Sequence, residues 1–416
     1  MVRSASRWKH DSLRTSAPIE AMSKVPPPLQ QRQEVQVLLR HAKPLTAGNK
    51  PKLWQSSTPP GILFMSNTRY REIVVAGSPR EMGRQLGEAA RDEIRGFAEI
   101  ALERVNKTMR VSRERAMSIA ARSTEFALDY GPEMLEELHG MAESSRVPFE
   151  ELMLLQVRNQ LRPDADAGCT SLSLASPASA AQGAIVAQNW DNDPALDPFT
   201  IVLTRKPRGK PALVNLTQAG LIAYIGFNDA GIGLCLNTLP APSREVGVPH
   251  YFTVRGIYEA GSLAGAIDAV RRAERAIPAN IMLATPQGPA DLEVTLDDVR
   301  VLSGEDGRIT HANHCKHPEL LAVNDAFPEL IESYPRQRQI DKLLSAAGAP
   351  EGLDAVKMAL QDHEGHPRSI CRHPNGDPQT GYWQTVFSVI IEPDRRRMHV
   401  SRGTPCEHPY ETYELS

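Results

Sequence analysis

No stretch of this 416-residue sequence approaches the roughly 18 consecutive apolar residues that a membrane-spanning helix needs. Nor does any pair of cysteines stand at CxxC spacing, and the five cysteines, at 169, 235, 315, 371 and 406, are an odd number. These absences argue against a zinc ribbon and against a disulfide framework, so a reducing compartment, the cytoplasm, is the expected location. There is no internal repeat. Residues 1 to 60 hold ten Lys or Arg against three Asp or Glu, which leaves 37 basic against 47 acidic residues for the body of the chain. An acidic body gives nucleic acid nothing to bind, and no membrane partner is indicated.

The basic N-terminal stretch carries Pro26 to Pro28, Pro59, Pro60 and many Ser, Gln and Lys. It has too little apolar material to fold alone and no apolar core of a secretory signal. Its acidic residues and prolines count against an organelle transit peptide. Residues 1–66 therefore read as a disordered extension, or as sequence translated ahead of a true start at Met65.

From Ser78 the pattern turns helical. Ser78, Pro79 and Glu81 together form an N-terminal signature of cap, first-turn proline and capping-box acid. Apolar residues from Met82 to Ala101 then recur at spacings of three and four, and the spacing predicts further helices over 112–128, 132–144 and 148–161. After Cys169 the period shortens. Runs such as "CTSLSLA", "AIVAQNW", "FTIVLTRK", "ALVNLT", "LIAYIGF" and "GIGLCLN" read as strands, with "NDAG" at 228–231 as a hairpin turn made by Asp229. Helices are expected around 254–274, 333–347 and 352–362, and strands near 280–285, 291–302 and 385–402. Strands packed on strands with helices outside imply a layered α+β sandwich.

Cys169 follows Gly168 where the helical period gives way to the strand period. If "CTSLSLA" and "AIVAQNWD" form an antiparallel hairpin whose paired numbers sum to 360, Cys169 faces Asp191, and a carboxylate lies beside both its thiol and its backbone nitrogen. Were the Gly168–Cys169 bond cut, Cys169 would gain an α-amine of reference pKa about 7.7–8.0, a base able to take the thiol proton. The same thiol could make that cut by attacking the Gly168 carbonyl. The bland alternative is a small buried cysteine opening a strand. Cys235 reads as core, Trp190 as packing, and Asn189 as a residue that either reaches the site or caps the strand.

"GCTSLSLA…QGAIVAQNWD" resembles the start of the mature chain in the acyl-coenzyme A:isopenicillin N (6-aminopenicillanic acid) acyltransferase family, the autoproteolytic cysteine Ntn-hydrolases of the C45 type. "REIVVAGSPREMGRQLGEAAR", "THANHC" (310–315) and "SRGTPCEHPY" (401–410) are similar to further stretches of that family. The resemblance implies a four-layer αββα sandwich and self-cleavage between Gly168 and Cys169. It divides one domain into a helical α-chain, 67–168, and a β-chain, 169–416, which stay associated, with a homo-oligomer of that αβ unit left open. By position it makes Cys169 the nucleophile, Asp191 the holder of the α-amine and Asn313 the oxyanion-hole amide. Arg402, Arg372 and Asn189 become candidates for substrate contact. The activity implied is cleavage of a small-molecule amide through a thioester, with acyl transfer to an amine or from acyl-CoA, and no cofactor or metal. The loop from Ser176 to Gly183 is longer than the family's turn.

Two other readings compete. His311, His314, Cys315 and His317, with the Asp- and His-rich "QDHEGHPRSICRHP" (361–374) and its Cys371, could form a zinc-dependent hydrolase centre, although zinc ligands usually come as separated pairs. An Ntn fold without catalysis, serving as a binding protein, is the other.

Overall fold

In the computed structural model, the described residues are 68–107, 110–161, 168–175, 184–304, 306–327, 333–345, 352–378 and 380–416. The N-terminal extension, Met65 and the 176–183 loop lie outside them. Strand β1 (Glu72–Gly77) leads into helices α1 (Pro79–Ala89), α2 (Arg91–Val105), α3 (Arg113–Tyr130), α4 (Pro132–Ser145) and α5 (Phe149–Val157). Strands β2 (Cys169–Ala175), β3 (Ala184–Asn192), β4 (Thr200–Pro207), β5 (Leu213–Gln218), β6 (Ile225–Asn228) and β7 (Gly233–Asn237) follow. Helices α6 (His250–Tyr258) and α7 (Leu263–Arg271) precede β8 (Ala279–Thr285), β9 (Gly288–Val294), β10 (Val299–Leu302) and β11 (Arg308–His311). The chain ends with α8 (Leu321–Ala326), α9 (Ser333–Ser345), α10 (Gly352–Leu360), β12 (Gln384–Glu392), β13 (Arg397–Arg402) and β14 (Tyr410–Glu414).

The strands make an eight-stranded sheet, β1-β4-β5-β6-β7-β8-β9-β10, and a six-stranded sheet, β11-β2-β3-β12-β13-β14. The β1–β4 pair is parallel and the other ladders are antiparallel. β2 and β3 pack across β7, β8 and β9, so the two sheets face each other. Helices α1 and α2 cover the outer face of the larger sheet, and α9 and α10 cover the smaller one. This is the expected α+β, four-layer αββα arrangement. One apolar cluster fills the space between the sheets and under α1–α7, and a second, with Leu172, Leu174, Ile185, Ala187, Ile340 and Val356, lies under α9 and α10.

The capping box at Ser78 forms as the sequence implied, with Glu81 accepting from the Ser78 backbone nitrogen at 2.8 Å. The long apolar stripe from Met82 to Ala101 does not make one helix. It breaks at Ala90 (φ −113°, ψ 31°), because a single non-helical residue leaves the spacing of three and four intact and so leaves no mark on it. α1 and α4 cross backbone to backbone: a Cβ on Gly83 would stand 1.9 Å from the Glu137 carbonyl oxygen, and one on Gly140 2.2 Å from that of Arg80. Beneath that crossing the buried Glu137 carboxylate accepts from Arg205 Nε at 2.6 Å and Arg255 Nη1 at 3.1 Å, joining α4 to β4 and α6. Burial pushes that carboxyl up, but the two guanidiniums outweigh burial and hold it below its ordinary value. The expected strands at 291–302 and 385–402 each divide at a turn, the second around Pro393 with Arg396 at φ 52°.

Candidate active site

The β2–β3 hairpin forms, in a register one residue from the expected one. Cys169 pairs with Trp190, Leu172 with Ala187 and Leu174 with Ile185, so paired numbers sum to 359. The reason lies in packing. Residues directly opposite share a face, and this register puts Leu172, Ala187, Leu174 and Ile185 together under the helices while Cys169, Val186 and Trp190 face the other sheet. Asp191 therefore stands opposite Gly168, and its backbone nitrogen donates to the Gly168 carbonyl at 2.9 Å. The Asp191 carboxylate and the Cys169 thiol are on opposite faces of the sheet, so the expected carboxylate–thiol neighbourhood is corrected. The Gly168 carbonyl and both backbone polar atoms of Cys169 are held. The Cys169 nitrogen donates to Asn313 Oδ1 at 2.9 Å, and its carbonyl accepts from Arg336 Nη1. Arg336, on α9 and 1% exposed, also donates to Thr170 Oγ1 at 3.0 Å and Asn313 Oδ1 at 2.9 Å. Asn313 Nδ2 in turn donates to the Thr238 carbonyl at 3.1 Å and Oγ1 at 3.0 Å. Asp191 Oδ1 accepts from Thr385 Oγ1 at 2.7 Å, directly across from it on β12, while its Oδ2 is buried with no hydrogen-bond partner among the described residues. Burial raises this carboxyl to about 6, against the pull of Arg336, Arg372 and the Thr385 hydroxyl. A buried carboxylate with one oxygen unsatisfied is costly unless a donor or a positive charge reaches it.

On the other face, Trp190 stacks on Phe387 at 4.8 Å and meets the edge of Tyr224 at 6.0 Å, which is the packing role expected of it. Cys235 is fully buried, also as expected, and with Tyr224 lies within electrostatic reach of Cys169. Tyr224 meets the edge of Tyr251 at 5.6 Å, and the Arg158 guanidinium lies over Tyr251 at 5.8 Å and Phe97 at 5.5 Å. Arg158 makes no ion pair among the described residues.

The histidines of "HANHCKH" hold the loop that carries Asn313. His311 Nε2 meets Glu293 Oε1 at 2.9 Å, and Glu293 also accepts from the backbone nitrogens of Lys316 and, at 3.0 Å, His317. His314 Nδ1 lies 2.6 Å from Ser333 Oγ, its ring stacked on Tyr334. His317 caps the short turn at Pro318–Leu320, and Cys315 is buried against Leu239 and Leu320. With partners pointing apart, His311, His314, Cys315 and His317 assemble no metal centre among the described residues, which removes the zinc-hydrolase reading of that segment.

Of the three substrate-contact candidates, Arg372 comes to the site: it is 2% exposed and lies within electrostatic reach of Asp191. Asn189 instead ties β3 to α10 and the loop after it, donating to the carbonyls of Leu360 at 2.8 Å and Ile370 at 3.0 Å. Arg402 makes a two-pronged contact with Asp197 Oδ2, from Nε at 3.1 Å and Nη2 at 2.6 Å, and lies over the Tyr70 ring. Sequence reasoning missed Arg336, Thr385 and Arg158. Arg336 sits in "SYPRQRQ", whose helical pattern marks nothing about it, and Thr385 is one hydroxyl in an apolar strand.

Two facing sheets clad in helices, with a glycine–cysteine junction opening an inner strand, define the class of N-terminal-nucleophile enzymes, acyltransferases and amidohydrolases that act on amides. Comparison gives the family. The chain belongs to the acyl-coenzyme A:6-aminopenicillanic acid acyl-transferase family, whose model matches residues 179–407, a span that starts past Cys169 and takes in Asp191, Asn313, Arg336 and Arg372. It is 27% identical over 354 residues to the acyl-coenzyme A:6-aminopenicillanic-acid-acyltransferase 40 kDa form of Emericella nidulans, covering 83% of this chain and 95% of that protein. Among solved structures it is similar to penicillin V acylase from Agrobacterium tumefaciens (TM-score 0.37, 11% identity, 61% of this chain and 80% of that one). A variant of conjugated bile acid hydrolase from Clostridium perfringens is similar at TM-score 0.39 and 9% identity, over 60% of this chain and 97% of that one. Likenesses this remote carry no chemistry. Among the described residues, no helix is long and apolar enough to cross a membrane.

Proposed function

We propose that this chain is a precursor that cuts its own Gly168–Cys169 bond, and that Cys169 then serves as the nucleophile of an amide-cleaving acyl transfer. The observation that carries the reading is the hydrogen bonding of the junction: the Gly168 carbonyl accepts from Asp191 N at 2.9 Å while the Cys169 nitrogen is held by Asn313 at 2.9 Å. In the self-cleavage step the Cys169 sulfur attacks the Gly168 carbonyl carbon. The oxygen gains charge where the Asp191 N–H already points, the C–N bond breaks, and the thiol proton ends on the departing amine. Water then cleaves the Gly168 thioester, leaving the Gly168 carboxylate and freeing the thiol beside the new α-amine.

In turnover the α-amine takes the thiol proton, and Asp191 holds the resulting ammonium. The thiolate attacks the substrate amide and the tetrahedral oxygen takes one of the Asn313 Nδ2 hydrogens from Thr238. The α-ammonium gives its proton to the leaving amine as the C–N bond breaks, and a thioester remains on Cys169. Water as acceptor gives hydrolysis. An amine acceptor, or acyl-CoA as donor, gives transfer, as the name of the Emericella nidulans relative describes for that protein. Arg158 supports a substrate with a carboxylate, because it lies over Tyr251, whose ring meets Tyr224 and, through it, Trp190, the residue paired with Cys169.

Cleavage leaves chains of 168 and 248 (416 − 168) residues. Their continued association as one αβ unit is supported by β1, which pairs with β4 across the cut, and by Glu137, which binds Arg205 and Arg255 across it. Intact-mass analysis of purified protein tests the proposal. Two chains, the smaller-numbered one ending at Gly168, are expected, and Cys169→Ala should leave one uncut chain. Wild-type protein that stays full length through prolonged incubation yet cleaves amides would overturn it.

A further inference from the structure

Apart from the junction, the fold gathers a second set of chemically capable side chains. His363, Cys371 and His373 come from the loop after α10, and Cys406 from the loop between β13 and β14. One donor atom of each lies within 4.8 Å of all the others. We propose that these four residues form a structural zinc site.

The distances carry the argument. Tetrahedral zinc with Zn–S of about 2.3 Å and Zn–N of about 2.0–2.1 Å requires S···S near about 3.8 Å, S···N near about 3.6 Å and N···N near about 3.3 Å. Here Cys371 Sγ and Cys406 Sγ are 3.5 Å apart, and the two histidine Nε2 atoms 3.1 Å. His373 Nε2 is 3.7 Å from Cys371 Sγ and 3.3 Å from Cys406 Sγ. A disulfide would bring the sulfurs to about 2.05 Å and would leave no reason for two imidazole nitrogens to aim at the same point. Two thiolates and two neutral imidazoles balance the charge of a divalent ion, and soft sulfur with imidazole suits zinc.

The backbone around the cluster is pinned before any metal binds. Cys371 N donates to the Asp362 carbonyl at 2.9 Å, Gln361 Nε2 to that of Pro405 at 2.9 Å, and Asn189 holds the Ile370 carbonyl. His363 is exposed, which leaves an entry path. Four protein ligands close the coordination sphere, so the site is structural. Its consequence reaches the junction. Arg372 sits between two of the ligands, its nitrogen donating to Thr385 Oγ1 at 2.9 Å and its carbonyl accepting from Thr385 N at 3.0 Å. That same hydroxyl donates to Asp191. Zinc would fasten both loops and thereby position Arg372 and Thr385 against Asp191.

The test uses the full-length chain, reduced and desalted into metal-free buffer, and its uncut Cys169→Ala form, so that the outcome stands apart from self-cleavage. About one zinc per chain by elemental analysis is expected in both. Cobalt(II) added to the metal-free chain should give the intense visible bands of tetrahedral coordination and a near-ultraviolet thiolate charge-transfer band. Cys406→Ser and His373→Ala should lose these bands and bind zinc at least about a hundredfold more weakly, since even outer-shell changes cost 10–100-fold. A reduced wild-type chain without zinc or tetrahedral cobalt bands would overturn the proposal. So would bands unchanged in Cys406→Ser, or a Cys371–Cys406 disulfide in the isolated protein.

Discussion

Replacing Arg336 by Met keeps most of the side chain's volume and removes its charge. The guanidinium serves the Cys169 carbonyl, Thr170 Oγ1 and Asn313 Oδ1, and it is one of two cations holding down the Asp191 carboxyl. Breaking a buried charged network by removing one partner costs about 3–5 kcal/mol. If that falls on the junction during cleavage, at about 1.4 kcal/mol per tenfold, self-cleavage slows by about 10² to 10³·⁵. A second effect separates electrostatics from packing. With Arg336 gone only Arg372 and the Thr385 hydroxyl oppose burial, so the Asp191 carboxyl rises from about 6 and the ascending limb of cleavage rate against pH moves to higher pH. Chain produced by cell-free synthesis, sampled over time across roughly pH 5 to 9, which spans the Asp191 titration at about 6 and the reference thiol titration, and resolved by mass, reads both quantities. Circular dichroism of the purified variant checks that it folds. A folded Arg336→Met chain that cleaves at the wild-type rate with an unmoved limb refutes the role given to Arg336, and Arg336→Lys, which restores charge without the fork, should recover the limb more than the rate.

Two further outcomes follow from the same electrostatics. In the uncut Cys169→Ala chain, Asp191 has a folded pKa of about 6 against an ordinary 3.8, so the fold favours its protonated form. That contribution is full below about pH 3.8 and fades as pH rises through about 6, a loss of about 3 kcal/mol; Asp191→Asn in that background should flatten this part of the urea-unfolding stability profile, and an unchanged profile would show the carboxyl to be elsewhere ionised. On the thiol face, Arg158→Met should raise KM for a carboxylated amide about 10- to 150-fold, one charge-assisted hydrogen bond of about 1.5–3 kcal/mol, while self-cleavage proceeds unaltered; equal loss for carboxylated and neutral amides would argue against a carboxylate subsite.

Much was legible locally. Helix starts are written in side chains a turn apart, as at Ser78 and Glu81, and strand periods in alternate residues, so the order of helices and strands came from short windows. The Gly168–Cys169 junction stood at a visible change of period, and family-like motifs marked Asp191 and Asn313. The helix break at Ala90 left the apolar spacing unchanged and could not be read from it.

What the sequence by itself determined is therefore the succession of elements, the layered class and the glycine–cysteine junction on which the proposed cleavage is built. Only the tertiary structure decided the hairpin register, because β2 and β3 are buried on both faces and their alternation alone does not say which residues must lie opposite. It decided, too, that thiol and carboxylate lie on opposite faces, that Arg336 reaches across from α9, and that Cys406 meets Cys371 and two histidines. Those partners stand far apart in the chain. No local period records such a meeting, since it exists only once two sheets and two helical layers have packed and the buried polar groups have had to find one another.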